Sequence, residues 1–303
     1  MNRLSFKFLA ALLLLVLLTP AAFAQATRTW VSGVGDDANP CSRTAPCKTW
    51  AGAISKTVAS GEIDALDPGG FGALTITKAI TIDGGGGIVA SALTSGTNGF
   101  VVSAGVSDTV ILRNLSFNGL GSSLSGVNYV AGGQLVVEHC NIIGFSTGIN
   151  MALTGALNGS LVVRDTTITG FIASGAATGT GVNLSSSTTT AFASISTSSF
   201  RTLATGLNAQ TGAVADISNS TIQFVSNAAL LANGGIISAE SNMLSNNTGT
   251  AVLPTAGVIR LSNNDLFNNG LGVGTGTGMV GSAGNNRKAG NGTGSTTPTI
   301  TVF

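Results

Sequence analysis

The chain has 303 residues, only 8% of them charged, and thirteen Lys and Arg nearly balance twelve Asp and Glu. An average soluble domain is roughly 25% charged, and binding to phosphate backbones needs a basic stripe. A near-neutral chain so poor in charge and so rich in glycine (43 residues) is therefore not expected to take nucleic acid as a partner.

Residues 1–24 read as a cleavable export signal. Arg3 and Lys7 precede an apolar run from Phe8 to Leu18, and Ala22-Phe23-Ala24 is an A-x-A cleavage site. A membrane-spanning helix needs about 20 apolar residues, and no second long apolar run follows. The mature chain is expected to be exported, periplasmic or extracellular, with no membrane contact after cleavage. An outer-membrane barrel is rejected: Thr299 and Thr301 lie in phase with Phe303, and one Tyr and two Trp cannot furnish aromatic girdles.

Residues 25–61 form a turn-rich lead-in with a short strand around Thr29–Ser32, followed by a capping helix. Cys41 and Cys47 flank Pro46, and export makes a disulfide between them chemically reasonable. Two thiols without a nearby His do not fill a zinc shell. Asp36-Asp37 falls short of the six to eight oxygens of calcium and reads as a turn. Thr49 is placed to cap a helix over 49–60, with Trp50, Ala53, Ile54 and Val58 at helical spacing. That helix would plug the open end of a stack of strands.

From Glu62 the pattern becomes alternation. Leu74-Thr75-Ile76 and Ile80-Thr81-Ile82 read as short strands. Gly84–Gly87 is a glycine corner and not a phosphate loop, since no Lys-Ser/Thr or helix follows. Seven copies of one phrase then recur: VILRNLSF (110–117), LVVEHCNI (135–142), LVVRDTTI (161–168), ASISTSSF (193–200), ADISNSTI (215–222), IISAESNM (236–243) and IRLSNNDL (259–266). Their last residues, Phe117, Ile142, Ile168, Phe200, Ile222, Met243 and Leu266, are expected to stack as one internal column. In the first copy Val110, Leu112, Leu115 and Phe117 point inward and Ile111 and Ser116 outward. The period of two breaks at a bend, where successive copies place Asn114, His139, Asp165, Thr197, Asn219, Glu240 and Asn263. Cys140 then falls at an inward position, as a buried, inert thiol.

Strands this short at this period predict an all-β solenoid over 62–280, each strand pairing in parallel with its copy one rung away. Insertions at 152–159 and 172–190 are expected as loops, and 281–303 as a loosely attached tail.

On these features the chain resembles the secreted right-handed parallel β-helix proteins of the pectate-lyase-like superfamily. The resemblance rests on TWVSGVGDDANPC, CKTWAGAI, LDPGGFG with LTITKAITIDG, and the repeated phrase, and covers roughly residues 28–280. It implies the fold. That superfamily includes polysaccharide lyases, which hold Ca²⁺ on carboxylates from neighbouring rungs, and hydrolases, which need two carboxylates about 5–9.5 Å apart.

No such acid set emerges from the repeat register. Asp216 and Arg260 share a position with Ile237 between them, Glu240 lies between Asn219 and Asn263, and Asp265 lies beside Asn242. No catalytic residue, metal or cofactor is assigned. One charged cluster stands out, as a candidate ligand-binding site: Glu138 between Arg113 and Arg164, with His139 beneath Asp165. It reads as an acid/base pair beside cations able to hold a uronate, or as an ion ladder on a corner. Ile111, Val136 and Val162 make an outward apolar strip, an expected site of weak self-association.

A fold shared by many activities does not choose among them. The expected role is an exported β-helix whose long polar surface binds polysaccharide. The alternatives are a polysaccharide lyase or glycoside hydrolase on the same scaffold, and a structural or adhesive surface protein without a glycan ligand.

Overall fold

The computed structural model describes residues 25–154 and 159–292. The expected export signal at 1–24 and residues 293–303 of the expected tail lie outside the described residues.

Each coil places three short strands at the sides of a triangle. The first wall is an eleven-stranded parallel sheet, built in chain order from Ala26–Val31, Thr57–Ala65, Ile80–Asp83, Thr109–Arg113, Gln134–Glu138, Gly159–Arg164, Ala191–Ser196, Ala213–Ser218, Ile236–Glu240, Val258–Ser262 and Met279–Ser282. Ten rung spacings of ~4.8 Å give this wall a height of about 48 Å. The chain is a right-handed parallel β-helix.

After each first-wall strand the chain turns through one residue in the left-handed region. Asn114, His139, Asp165, Thr197, Asn219, Ser241 and Asn263 all have φ between 46° and 57°. The bend thus falls on Ser241 where the sequence pattern put Glu240. The same slip affects the anchor column, which runs Phe117, Ile142, Ile168, Phe200, Ile222, Leu244, Leu266. Met243 is 41% exposed, and Leu244 is fully buried in its place. IISAESNML offers two apolar registers one residue apart, and a one-residue slip exchanges the faces of a whole strand.

The residue after each bend points inward. Along the early rungs it is Leu115 or Cys140, then Thr166, Ser198 and Ser220, and finally Asn242, Asn264 and Asn286. In the polar part each side-chain oxygen accepts the backbone N–H of the rung below: Ser198 Oγ from Thr166, Ser220 Oγ from Ser198, Asn242 Oδ1 from Ser220, Asn264 Oδ1 from Asn242 and Asn286 Oδ1 from Asn264. A second ladder joins Val225 N to Asn247, Asn247 N to Asn269 and Asn269 N to Asn291. These amides satisfy backbone groups that the tight corners leave without a strand partner. At another corner Gly126, Gly148, Gly181 and Gly206 stack, and a Cβ on any of them would come 2.5–2.7 Å from the carbonyl oxygen of the next rung.

The lower end is closed by helix α1 (Trp50–Lys56). Thr49 caps it, its Oγ1 accepting from Gly52 N at 2.9 Å. Asp37 accepts from Lys48 N, Thr49 N and Thr49 Oγ1 just ahead of the helix. Trp50 is fully buried and packs edge-on against Phe71 at 5.0 Å; Phe100 and Phe117 continue the stack, also 5.0 Å apart. Cys41 and Cys47 are joined in the loop ahead of the helix, and Cys140 is free and buried.

Three boundaries differ from the sequence reading. Helix α1 ends at Lys56, because Thr57–Ala65 is already a first-wall strand, and Ala26–Val31 pairs beneath it. The segment 172–190 is only partly a loop. Phe171–Ala173 and Ala176–Thr178 form a hairpin, and Thr180–Ser186 pairs in parallel with the end of Asn141–Leu153 below. The coil also continues past residue 280: Arg287–Ala289 pairs with Asp265–Phe267, and Asn286 and Asn291 extend both ladders.

Candidate functional site

Strand alternation leaves every second side chain of the first wall pointing outward, so the register defines columns running along the molecule. One column reads Arg28, Glu62, Thr81, Ile111, Val136, Val162, Ser194, Asp216, Ser238, Arg260. The next, two residues on in each strand, reads Trp30, Asp64, Asp83, Arg113, Glu138, Arg164, Ser196, Ser218, Glu240, Ser262. Ser238, and not Ile237, separates Asp216 from Arg260. Glu240 lies between Ser218 and Ser262, and Asp265 pairs with Met243. These places differ from the sequence register for the reason given above for the sixth copy.

The lower half of this face is an ion-pair network. Glu62, Asp64 and Asp83 bring carboxylate oxygens within 4.8 Å of one another. Arg28 reaches Asp64 at 2.5 Å and Glu62 at 3.0 Å, and Arg113 reaches Asp83 at 2.7 Å and Glu62 at 3.2 Å. Asp83 also accepts from Asn114 Nδ2 and Gly85 N, both at 2.8 Å. Burial pushes the Asp64 carboxyl up to about 6; its bond from Arg28 opposes this, and the neighbouring Glu62 adds to it. Burial also acts on Asp83, but the donors Asn114, Gly85 and Arg113 outweigh it and hold that carboxyl below the usual range.

This carboxylate set was not found in the sequence, because Glu62, Asp64 and Asp83 precede the seven copies. Aligning Ile63 with Ile82 and Leu112 would have put Asp64, Asp83 and Arg113 in one column. The set does not suit a calcium ion as it stands. Calcium takes six to eight oxygens, whereas each of these carboxylates already accepts from a guanidinium, and two arginines offset most of their charge.

The structure divides the cluster expected around residue 138. Arg113, Glu138 and Arg164 do share a column, and Arg164 bonds Glu138 at 2.6 Å, but Arg113 is turned down toward Asp83 and Glu62. His139 and Asp165 stand on the bend at the edge of the sheet, their side chains 61% and 45% exposed. Nε2 of His139 is 3.7 Å from Asp165 Oδ2, too far for a hydrogen bond. Cys140 lies beneath this edge, its thiol pushed up to about 12 by burial. Val136 of the expected apolar strip is buried, and Ile111 and Val162 are half-buried.

The upper half of the face differs. Asp216, Ser218, Ser238, Glu240, Arg260 and Ser262 line an open groove of about 340 Å³. Among the described residues, Asp216, Glu240 and Arg260 make no ion pair, whereas every charged side chain of the lower columns does.

No protein-family model matches the sequence, and no curated protein matches it. Solved structures share the fold. The crystal structure of pectate lyase Pel9A matches with a TM-score of 0.57 at 12% identity, over 88% of this chain and 80% of that one. The alginate lyase from Paenibacillus sp. str. FPU-7 matches with a TM-score of 0.56 at 14% identity, over 88% of this chain and 97% of that one. The chain is therefore a parallel β-helix with the pectate-lyase-like fold.

Proposed function

We propose that this is an exported protein that binds polysaccharide along the outward face of its first wall and does not cleave it. The observation behind this reading is the face itself, where two columns of side chains, largely polar or charged, repeat at every rung over about 48 Å. A polymer of similar units can repeat one contact per rung on such a ladder, so weak hydrogen bonds add along its length. Support comes from the two solved structures of the same fold, which carry the names of polysaccharide lyases. The Cys41–Cys47 disulfide suits an oxidising compartment, and among the described residues no helix is long and apolar enough to cross a membrane.

One observation favours the enzyme reading. A carboxyl at about 6 beside the second carboxylate Glu62 is the pairing a general acid needs. Against it, both groups are held by Arg28, and Glu62 also by Arg113, so neither carboxyl is free to act on a substrate.

The deciding experiment measures retention and product release together on pectic, alginate-like and neutral polymers, with wild type and Asp64→Asn. Retention without product in both proteins is expected. Depolymerisation by wild type that falls by 10²-fold or more in Asp64→Asn, with retention intact, would replace binding by catalysis.

A further inference from the structure

A third outward column lies beside the groove. Two residues before Ser194, Asp216, Ser238, Arg260 and Gly281 stand Phe192, Val214, Ile236, Val258 and Met279, in register on five successive rungs. Phe192 is 44% and Met279 65% exposed, and the three between them are half-buried. Four rung spacings make this an apolar strip about 19 Å long. Lower on the wall the same column is polar, with Thr109, Gln134 and Ser160. The apolar strip thus begins where the ion pairs end. Strand propensity accounts for a valine or isoleucine on a sheet. It accounts neither for an exposed phenylalanine and methionine at the ends of the strip nor for three unpaired charges beside it.

We infer that the upper first wall is a binding groove for a neutral, hydroxyl-rich polysaccharide. The strip would take the C–H faces of the sugar rings, with their hydroxyls on Asp216, Glu240 and Arg260. This rests on the polysaccharide reading above and gives it a location and a ligand class. A sugar ring has apolar faces and a rim of hydroxyls that donate to carboxylates and accept from a guanidinium. One ligand class therefore meets both halves of the groove. A polyuronate does not. The groove holds two carboxylates against one arginine, and the outward columns as a whole set Glu62, Asp64, Asp83, Glu138, Asp216 and Glu240 against Arg28, Arg113, Arg164 and Arg260. An extended peptide joins a sheet at its edge and not on its face. A second copy of the chain would cover the strip but leave the hydroxyl-binding groups without partners.

The test is affinity electrophoresis through gels containing galactomannan, hydroxyethyl cellulose or polygalacturonate, with sedimentation of the free proteins alongside. The variants are Glu240→Gln, the double variant Phe192→Ser/Met279→Ser, Glu62→Gln in the lower network, and Arg201→Gln on another wall as control. Both groove variants alter exposed side chains, and Glu240→Gln preserves shape, so the fold is retained. Wild type should be held by at least one neutral polymer more tightly than by polygalacturonate. Each groove variant should weaken that binding by about tenfold or more, and Arg201→Gln should not. Undiminished binding by both groove variants, or loss confined to Glu62→Gln, overturns the location. Tighter binding to polygalacturonate overturns the ligand class. A wild-type dimer that Phe192→Ser/Met279→Ser dissociates, with glycan binding unchanged, makes the strip a self-association surface and overturns the inference. Failure to bind any of the three polymers removes the polysaccharide reading itself.

Discussion

Replacing Asn264 by alanine removes the central amide of the first ladder. Asn264 has no exposed surface. Its Oδ1 accepts the backbone N–H of Asn242 at 2.9 Å and Asn242 Nδ2 at 3.0 Å, and its Nδ2 donates to Ala239 O at 2.8 Å and to Asn286 Oδ1 at 3.0 Å. Truncation strands one buried backbone donor outright, at about 1–3 kcal/mol. Asn242 Nδ2 retains Ile217 O, so its loss is a normal bond of about 1 kcal/mol. The expected cost is about 3 kcal/mol, measured as the shift in urea midpoint at constant slope. Asn264→Leu, which keeps the volume and deletes every polar contact, should cost at least as much. Asn263→Ala, one residue earlier on the exposed bend at φ 54°, should cost about 1 kcal/mol, because alanine tolerates the left-handed region less well than asparagine and loses the 3.1 Å bond from Asn263 Nδ2 to Ser241 Oγ. A cost below about 1 kcal/mol for Asn264→Ala, or wild-type stability for Asn264→Leu, would show that packing and not amide hydrogen bonding holds this corner.

Two further outcomes follow from the ionisable groups. The Asp64 carboxyl is held at about 6 in the folded protein against 3.8 for an unperturbed Asp, so the folded state binds its proton more tightly and stability should rise as pH falls from 7 toward 4.5. The difference caps the gain at about 3 kcal/mol, and solvent on the open side of the network reduces it to about 1. Asp83 acts in the opposite sense, and its contribution is lost as pH falls through its lowered value. A melting temperature that does not rise between pH 7 and 5, or a rise that survives Asp64→Asn, contradicts this. Cys140 is buried, with Sγ 3.3 Å from Glu138 O and its thiol at about 12. Native protein should resist maleimide until urea unfolds it, and prompt labelling of the native state would place this thiol at the surface.

How much of this was legible in the sequence depended on what marks each inward position. Where a rung carries Val110, Leu112 and Phe117, or Leu161, Val163 and Ile168, alternation alone sets the faces and the stacking partner. The sixth copy begins Ile236-Ile237 and ends Met243-Leu244, and hydropathy accepts either register. In the structure Ile237 and Leu244 go in, while Ile236 goes out to the apolar strip. That one slip hid the groove, because it placed Ile237 where Ser238 stands and took Glu240 off the sheet to the bend. The 22-residue spacing of Asn242, Asn264 and Asn286, and of Asn247, Asn269 and Asn291, fixes the correct register. Those residues read as polar and therefore as surface. A buried amide ladder satisfies backbone groups through its own stacking, so it holds a core column without any apolar residue. This is also why 281–292 looked like a tail, since its core positions are Asn286 and Asn291. The lower carboxylate set was hidden for a different reason: its strands have no copy of the repeated phrase, and only the pairing of Ile63 with Ile82 brings them into register. Apolar periodicity thus located the coil, but the side chains that decide its chemistry lie where that periodicity is weakest.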